Sequence, residues 1–285
     1  MIVGAAIVPT TPLLVPGATV RLPSGLARVG DAACAALCAL PQAHAVVLLA
    51  ADAGGTDSPA EAGGTDSPAD AGGTDSPAEA GGTDSPAEAG GTDSPAGVSV
   101  AASLAGFGRA DLCATVPVAG AVARRVAGAG GRSTLVGAAF LPPGLAALVL
   151  LVGAGVPVVP VTVPRCASAG ALAATGAAIA TAVRDGAERV AVIAAGDLSA
   201  GLTDRSPLAR VEGAVFWDEQ AAAAVDSGRF DGFARLGPAG AGRVGAVGWA
   251  PMMVLSGICA EAAIGMVVRH YSAPRGVGYL VAQGA

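Results

Sequence analysis

Six short apolar runs, at Ile2–Val8, 45–50, 135–139, Val158–Val163, Val190–Ala195 and 277–282, limit how this chain can fold. Each is too short for a lone helix and rich in β-branched or other apolar residues. Gly, Pro or Asp bounds each run, as for strands buried on both faces. Between them the spacing turns helical. Leu26, Val29, Ala33, Leu37 and Leu40 share one helical face, and Leu172, Ile179 and Val183 do so after Ser168. Ser206-Pro207 reads as the cap and first turn of a helix carrying Leu208, Val211 and Val215. A further helix is predicted from Trp249 to about Val268. Residues 145–163 approach the ~20 residues of a membrane span. Gly153, Gly155, Pro157 and Pro160 make a buried helix followed by a buried strand the better reading. The glycine-rich stretches 128–131 and 237–242 lack a dinucleotide-binding spacing after a strand and read as loops. The apolar start has no basic leader, and Pro9, Pro12 and Pro16 break it, so it reads as a strand and not a signal peptide. Alternating strands and helices of this kind predict an α/β fold, one domain over 1–285 with a mostly buried central sheet flanked by helices.

Residues 53–97 interrupt the pattern. They are five tandem copies of a nine-residue unit, the first reading Ala-Gly-Gly-Thr-Asp-Ser-Pro-Ala-Glu, and only the last position varies. No unit holds a large apolar side chain, so none can offset the ~1–2 kcal/mol per residue that ordering costs. The segment is predicted to be a disordered acidic insertion in a surface loop. Calcium-binding nonapeptide solenoids also begin Gly-Gly and contain Asp, but they carry a large apolar residue for the inner wall. Here Ser-Pro-Ala follows the Asp, and no such core can form.

The insertion also accounts for the chain's acidity. The formal net charge is −6, but nine of the 22 acids lie in 53–97, which has no base. The remainder carries 16 Arg against 13 acids, with no basic cluster beyond Arg124-Arg125, so nucleic acid is not an expected partner. The chain has no Lys, and its Ala, Gly, Arg and Pro usage resembles that of a GC-rich genome. Five Cys without a Cys-x-x-Cys spacing fit a reducing cytoplasm. Cys34 and Cys38 sit four apart on one helix face. Two thiols at that spacing can bind metal or form a redox pair, but free Cys is more often a small buried core residue, which is the expectation here.

Three phrases carry a resemblance. The first is Ile7-Val8-Pro9-Thr10-Thr11-Pro12-Leu13-Leu14-Val15-Pro16, directly after the first strand. The second is Gly196-Asp197-Leu198-Ser199-Ala200, after the run Val190–Ala195. The third is the C-terminal Tyr271-Ser272-Ala273-Pro274-Arg275-Gly276-Val277-Gly278-Tyr279-Leu280-Val281-Ala282. In this order, with Ser103-Leu-Ala-Gly-Phe-Gly108, they resemble the class III extradiol ring-cleavage dioxygenases, subunit-B-like, of an actinobacterial branch. The likeness spans most of the chain apart from 53–97. It implies the α/β fold of that subunit. It also implies multi-subunit assembly, either as a homo-oligomer or with a partner subunit.

The family's chemistry needs Fe(II) held by two His and a carboxylate, with a further His as acid/base. This chain has two His in all. By the resemblance, the first ligand position is Thr10 and the acid/base position is Ala200. Ala51-Asp52 and the repeat stand where the second ligand belongs. His44 precedes the second strand, and His270 is expected near the C-terminal end of a helix, where it would meet the helix dipole. Glu261 is the only acid among the last 50 residues. Asp197 and Ser199 read as lining a polar pocket or as a turn and cap after a strand. No Gly-x-Ser-x-Gly elbow surrounds Ser199. The expectation is a non-catalytic homologue without cofactor or metal, and the alternative is an enzyme of altered chemistry, dioxygenase-like or hydrolytic. Thr10, Asp197, Ser199, Ala200 and Glu261 are the vestigial pocket candidates. The expected location is cytoplasmic, with no membrane association.

Overall fold

The computed structural model describes residues 1–52, 98–129, 134–135 and 141–285. The expected disorder of 53–97 lies outside these residues. Most of the 135–139 strand does too, the described part being β5 (Thr134–Leu135).

Four parallel strands form the middle of a seven-stranded mixed sheet. They are β1 (Ile2–Val8), β2 (Ala45–Ala51), β6 (Val158–Val163) and β7 (Val190–Ala195), and the sheet order is β5-β6-β2-β7-β1-β9-β8. Antiparallel β9 (Tyr279–Gly284) and β8 (Val267–Ser272) extend one edge, and β5 pairs antiparallel with β6 at the other. The unbroken apolar runs are explained by burial on both faces, since every residue of β7 and all but the last of β2 are buried. Helix α1 (Ser24–Cys38) carries the chain from β1 to β2, and α4 (Ala169–Arg184) carries it from β6 to β7. Each crossover skips one strand, in opposite directions across the sheet. Right-handed connections then require α1 and α4 to lie on opposite faces, and they do, with α1 in one core cluster and α4 in the other.

Helix α3 (Pro143–Val152) joins α1 on its face. The opposite face holds α4 with α2 (Gly120–Ala129), α5 (Ala214–Asp226), α6 (Phe230–Val244) and α7 (Trp249–Ala262). Trp217, Phe230, Phe233 and Trp249 cluster there in a chain otherwise poor in aromatics. The Trp249 indole donates to the Phe233 carbonyl at 3.0 Å. Helices α4 and α7 pack with their backbones almost touching. A Cβ on Gly176 would lie 1.9 Å from the Val254 carbonyl oxygen, and one on Gly257 would lie 1.9 Å from that of Ala173.

Several expectations are corrected. The helix expected after Ser206-Pro207 starts only at Ala214. Ser206 instead closes a turn, accepting from the Thr203 amide at 2.8 Å and donating to the Gly276 carbonyl at 2.9 Å. The helix from Trp249 stops at Ala262 because Ala263 turns left-handed, with φ 55°. Val267 and Val268 therefore open strand β8, and His270 lies in that strand and not at a helix end. The supposed loop 237–242 belongs to α6, whose axis breaks at Gly237 (φ 65°, ψ 165°) before Pro238 restarts it. Gly128 is helical, in α2. The hairpin of β3 (Ser99–Leu104) and β4 (Arg109–Pro117) has no counterpart among the apolar runs, since most of β4 is solvent-facing. Cys34 and Cys38 are exposed, not core residues. Among the described residues, no helix is long and apolar enough to cross a membrane.

Candidate functional site

The connection leaving β1 goes to the α1 face, and the one leaving β7 goes to the α5 face. Neighbouring strands that diverge in this way open a crevice at their carboxyl ends. Thr10 and Asp197 meet there. Proline at position 9 has no amide to continue the ladder, and Thr10 turns across the strand ends. Its amide donates to Asp197 Oδ2 at 2.8 Å, and its hydroxyl donates to the same oxygen.

The segment after β7 is fastened on three sides. Leu198 N donates to the Gly278 carbonyl and Gly278 N to the Ser199 carbonyl, both at 2.8 Å. Asp197 thereby sits opposite Tyr279 in an antiparallel bridge. Gly248 N donates to the Asp197 carbonyl at 2.8 Å. From below, the Asp218 carboxylate of α5 accepts from Ser199 N at 2.9 Å and from the Tyr271 hydroxyl at 3.0 Å. Gly278 leaves room for that carboxylate, because a Cβ there would come within 1.9 Å of Asp218 Oδ2.

The cleft so formed measures about 350 Å³, with Thr10, Asp197, Ala200, Phe107, Val277 and Tyr279 in its wall. A hollow of about 260 Å³ shares its Thr10, Gly144 and Val247 walls and adds Arg165. A larger hollow, about 710 Å³, lies among α4, α6 and α7. Its wall is mostly small or apolar, and its Ser256 hydroxyl is taken up by the Met253 carbonyl. Arg229 and Asp231 also line it but are exposed, whereas the strand-end cleft brings a buried carboxyl and its Thr10 donors together from two strand ends, so it is the better site despite its smaller volume.

Burial pushes the Asp197 carboxyl up from its ordinary value, and the Thr10 hydrogen bonds offset only part of that. Tyr279 is held up by burial and by the nearby Asp197 charge, while Thr11 and Arg275 pull the other way. Asp218 is pushed up to about 6 by burial, opposed by its Ser199 and Tyr271 partners.

The five candidate residues part company in space. Thr10, Asp197 and Ala200 share the cleft. Ser199 is fully buried beneath it, donating to the Val244 carbonyl and accepting from Gly201 N, each at 3.2 Å. Glu261 lies at the other end of the sheet beside Met1, paired with Arg184 at 2.7 Å. Asp218 was not singled out in the sequence. Its only signal there is an acid beside Trp217 in a helix of Ala and Val.

The residues present do not suit the Fe(II) that the resemblance implies. The cleft offers the hydroxyls of Thr10, Thr11 and Tyr279, the Ala200 methyl and one carboxyl whose Oδ2 already accepts both Thr10 donors, with no imidazole among the described residues of its wall. His44 Nδ1 accepts from Arg189 N at 3.2 Å, next to the amino ends of β2 and β7, and His270 Nε2 bonds Ser272 Oγ at 2.9 Å on β8. Among the described residues, no three His, Cys, Asp or Glu gather to hold a metal. A scan against models of known families finds no match, and no curated protein matches the chain.

Proposed function

We propose that this chain is a non-catalytic relative of the class III extradiol dioxygenases, subunit-B-like, whose strand-end cleft binds a small molecule without iron chemistry. The carrying observation is the closure of Thr10 on Asp197. Both donors of the residue at the first ligand position are spent on the cleft's carboxyl, and Ala200 supplies no proton-transfer group. What remains is a shallow, largely apolar cleft with one acid and two threonines, a composition suited to binding a small ring compound.

Screening an aromatic fragment set, catechols included, by ligand-observed NMR tests this reading. Binding to the native chain, lost in Ala200→Phe, is expected, with no ring cleavage after addition of Fe(II) and oxygen. Ring-cleavage turnover sinks the non-catalytic reading, and no fragment bound sinks the binding one. The buried Asp197 favours a second reading, an altered enzyme in which this acid donates a proton during hydrolysis. Ester or amide turnover abolished in Asp197→Asn would favour it.

A further inference from the structure

On the α1 surface, outside the cleft wall, two exposed thiols face one another. Cys34 Sγ and Cys38 Sγ stand 4.0 Å apart, one turn from each other near the end of the helix. We propose that they form a two-thiolate site for a thiophilic divalent cation such as Zn(II) or Cd(II). A disulfide suits this position poorly. Helix neighbours at this spacing hold their Cβ atoms about 5–6 Å apart, whereas a disulfide needs about 3.5–4.5 Å. Oxidation would therefore unwind the last turn of α1, where Ala39 N is bonded to the Ala35 carbonyl at 3.0 Å.

A bridging ion fits without that distortion. Two metal–sulfur bonds of about 2.3 Å at the tetrahedral angle place the sulfurs about 3.8 Å apart, close to the distance observed. Asp31, one turn before Cys34, adds negative charge on the approach of a cation. On binding, each thiol gives its proton to solvent and the ion takes both thiolates, with no change of oxidation state. Two protein ligands leave the other positions to water, so the site is open and exchangeable, unlike a closed structural zinc.

Titrating Cd(II) into the reduced full-length chain reads the site through the ultraviolet thiolate-to-metal charge-transfer band. One ion per chain is expected, with release of both thiol protons. Each single variant, Cys34→Ser or Cys38→Ser, is expected to weaken binding by about tenfold or more, or about 1.4 kcal/mol. The double variant abolishes the band, while Cys113→Ser/Cys166→Ser, which removes the other exposed thiols, keeps it. Unchanged far-ultraviolet circular dichroism checks that each variant folds. No band in the native chain, or an undiminished band in Cys34→Ser/Cys38→Ser, overturns the proposal.

Discussion

At Asp218 a carboxyl group that is 1% exposed ties together α5, the segment after β7 and β8. Its folded pKa of about 6 lies above the unfolded value near 3.8. The folded state therefore holds a proton that the unfolded state has released between those values, and stability falls as pH rises through that window. Below it the contribution is full, and above about 6 it is gone. A pKa difference of this size is worth about 3 kcal/mol. Asp218→Asn keeps an acceptor for Ser199 and a partner for Tyr271 but cannot ionise. Relative to the native chain it is expected to gain up to about 3 kcal/mol between pH 4 and pH 7, read by urea unfolding. An unchanged difference across that range would refute the assignment. At the cleft, Thr10→Val removes the hydroxyl donor and keeps the amide. The Asp197 carboxyl should titrate higher still, at a stability cost of about 1 kcal/mol, followed by carboxyl carbon NMR. A lowered titration would show that the hydroxyl does not donate to this acid.

Among the elements, α7 shows how small residues decide packing. From Trp249 to Cys259 every residue is buried, and the helix has no polar face to set its orientation. Its closeness to α4 comes from Gly176 and Gly257, each facing the other helix's backbone. Gly176→Ala is expected to cost about 3 kcal/mol or more, because backbone cannot step aside as a side-chain tip can. Thermal melting of that variant beside Gly170→Ala, whose site faces open space, separates clash from helix propensity. Equal melting temperatures would contradict the close packing. The central strands were legible because each is apolar throughout, a pattern that burial on both faces requires. Strands β4 and β8 were not, since β4 is mostly exposed and β8, at the edge of its sheet, is mostly half-buried. The early helix start at Ser206 failed for a related reason. Ser-Pro is good cap chemistry, but the Ser206 hydroxyl is used on Gly276 across the fold.

For the whole molecule, the described residues build their sheet, both helical layers and the cleft without 53–97. The repeat's composition gives it little to bury. Replacing it with a short Gly-Ser linker should therefore shift stability by no more than about 2 kcal/mol, the loop-entropy difference. A melting temperature lower by many degrees would show that the repeat packs on the core.

The sequence by itself determined the α/β class and the central strands, because apolar runs and helical spacing report burial along a local segment. It also determined that imidazoles are scarce. It could not decide which candidates meet. Thr10 and Asp197 are 187 residues apart and touch only because β1 and β7 are neighbours in the sheet. Glu261 ends at the opposite, amino end of the strands because α7 runs away from the cleft, from Gly248 beside Asp197 to Glu261 beside Arg184 and Met1. The exposure of Cys34 and Cys38, and the ionisation of Asp218, were likewise set by what packs against them. Such neighbours come from distant parts of the chain, and no local pattern records them.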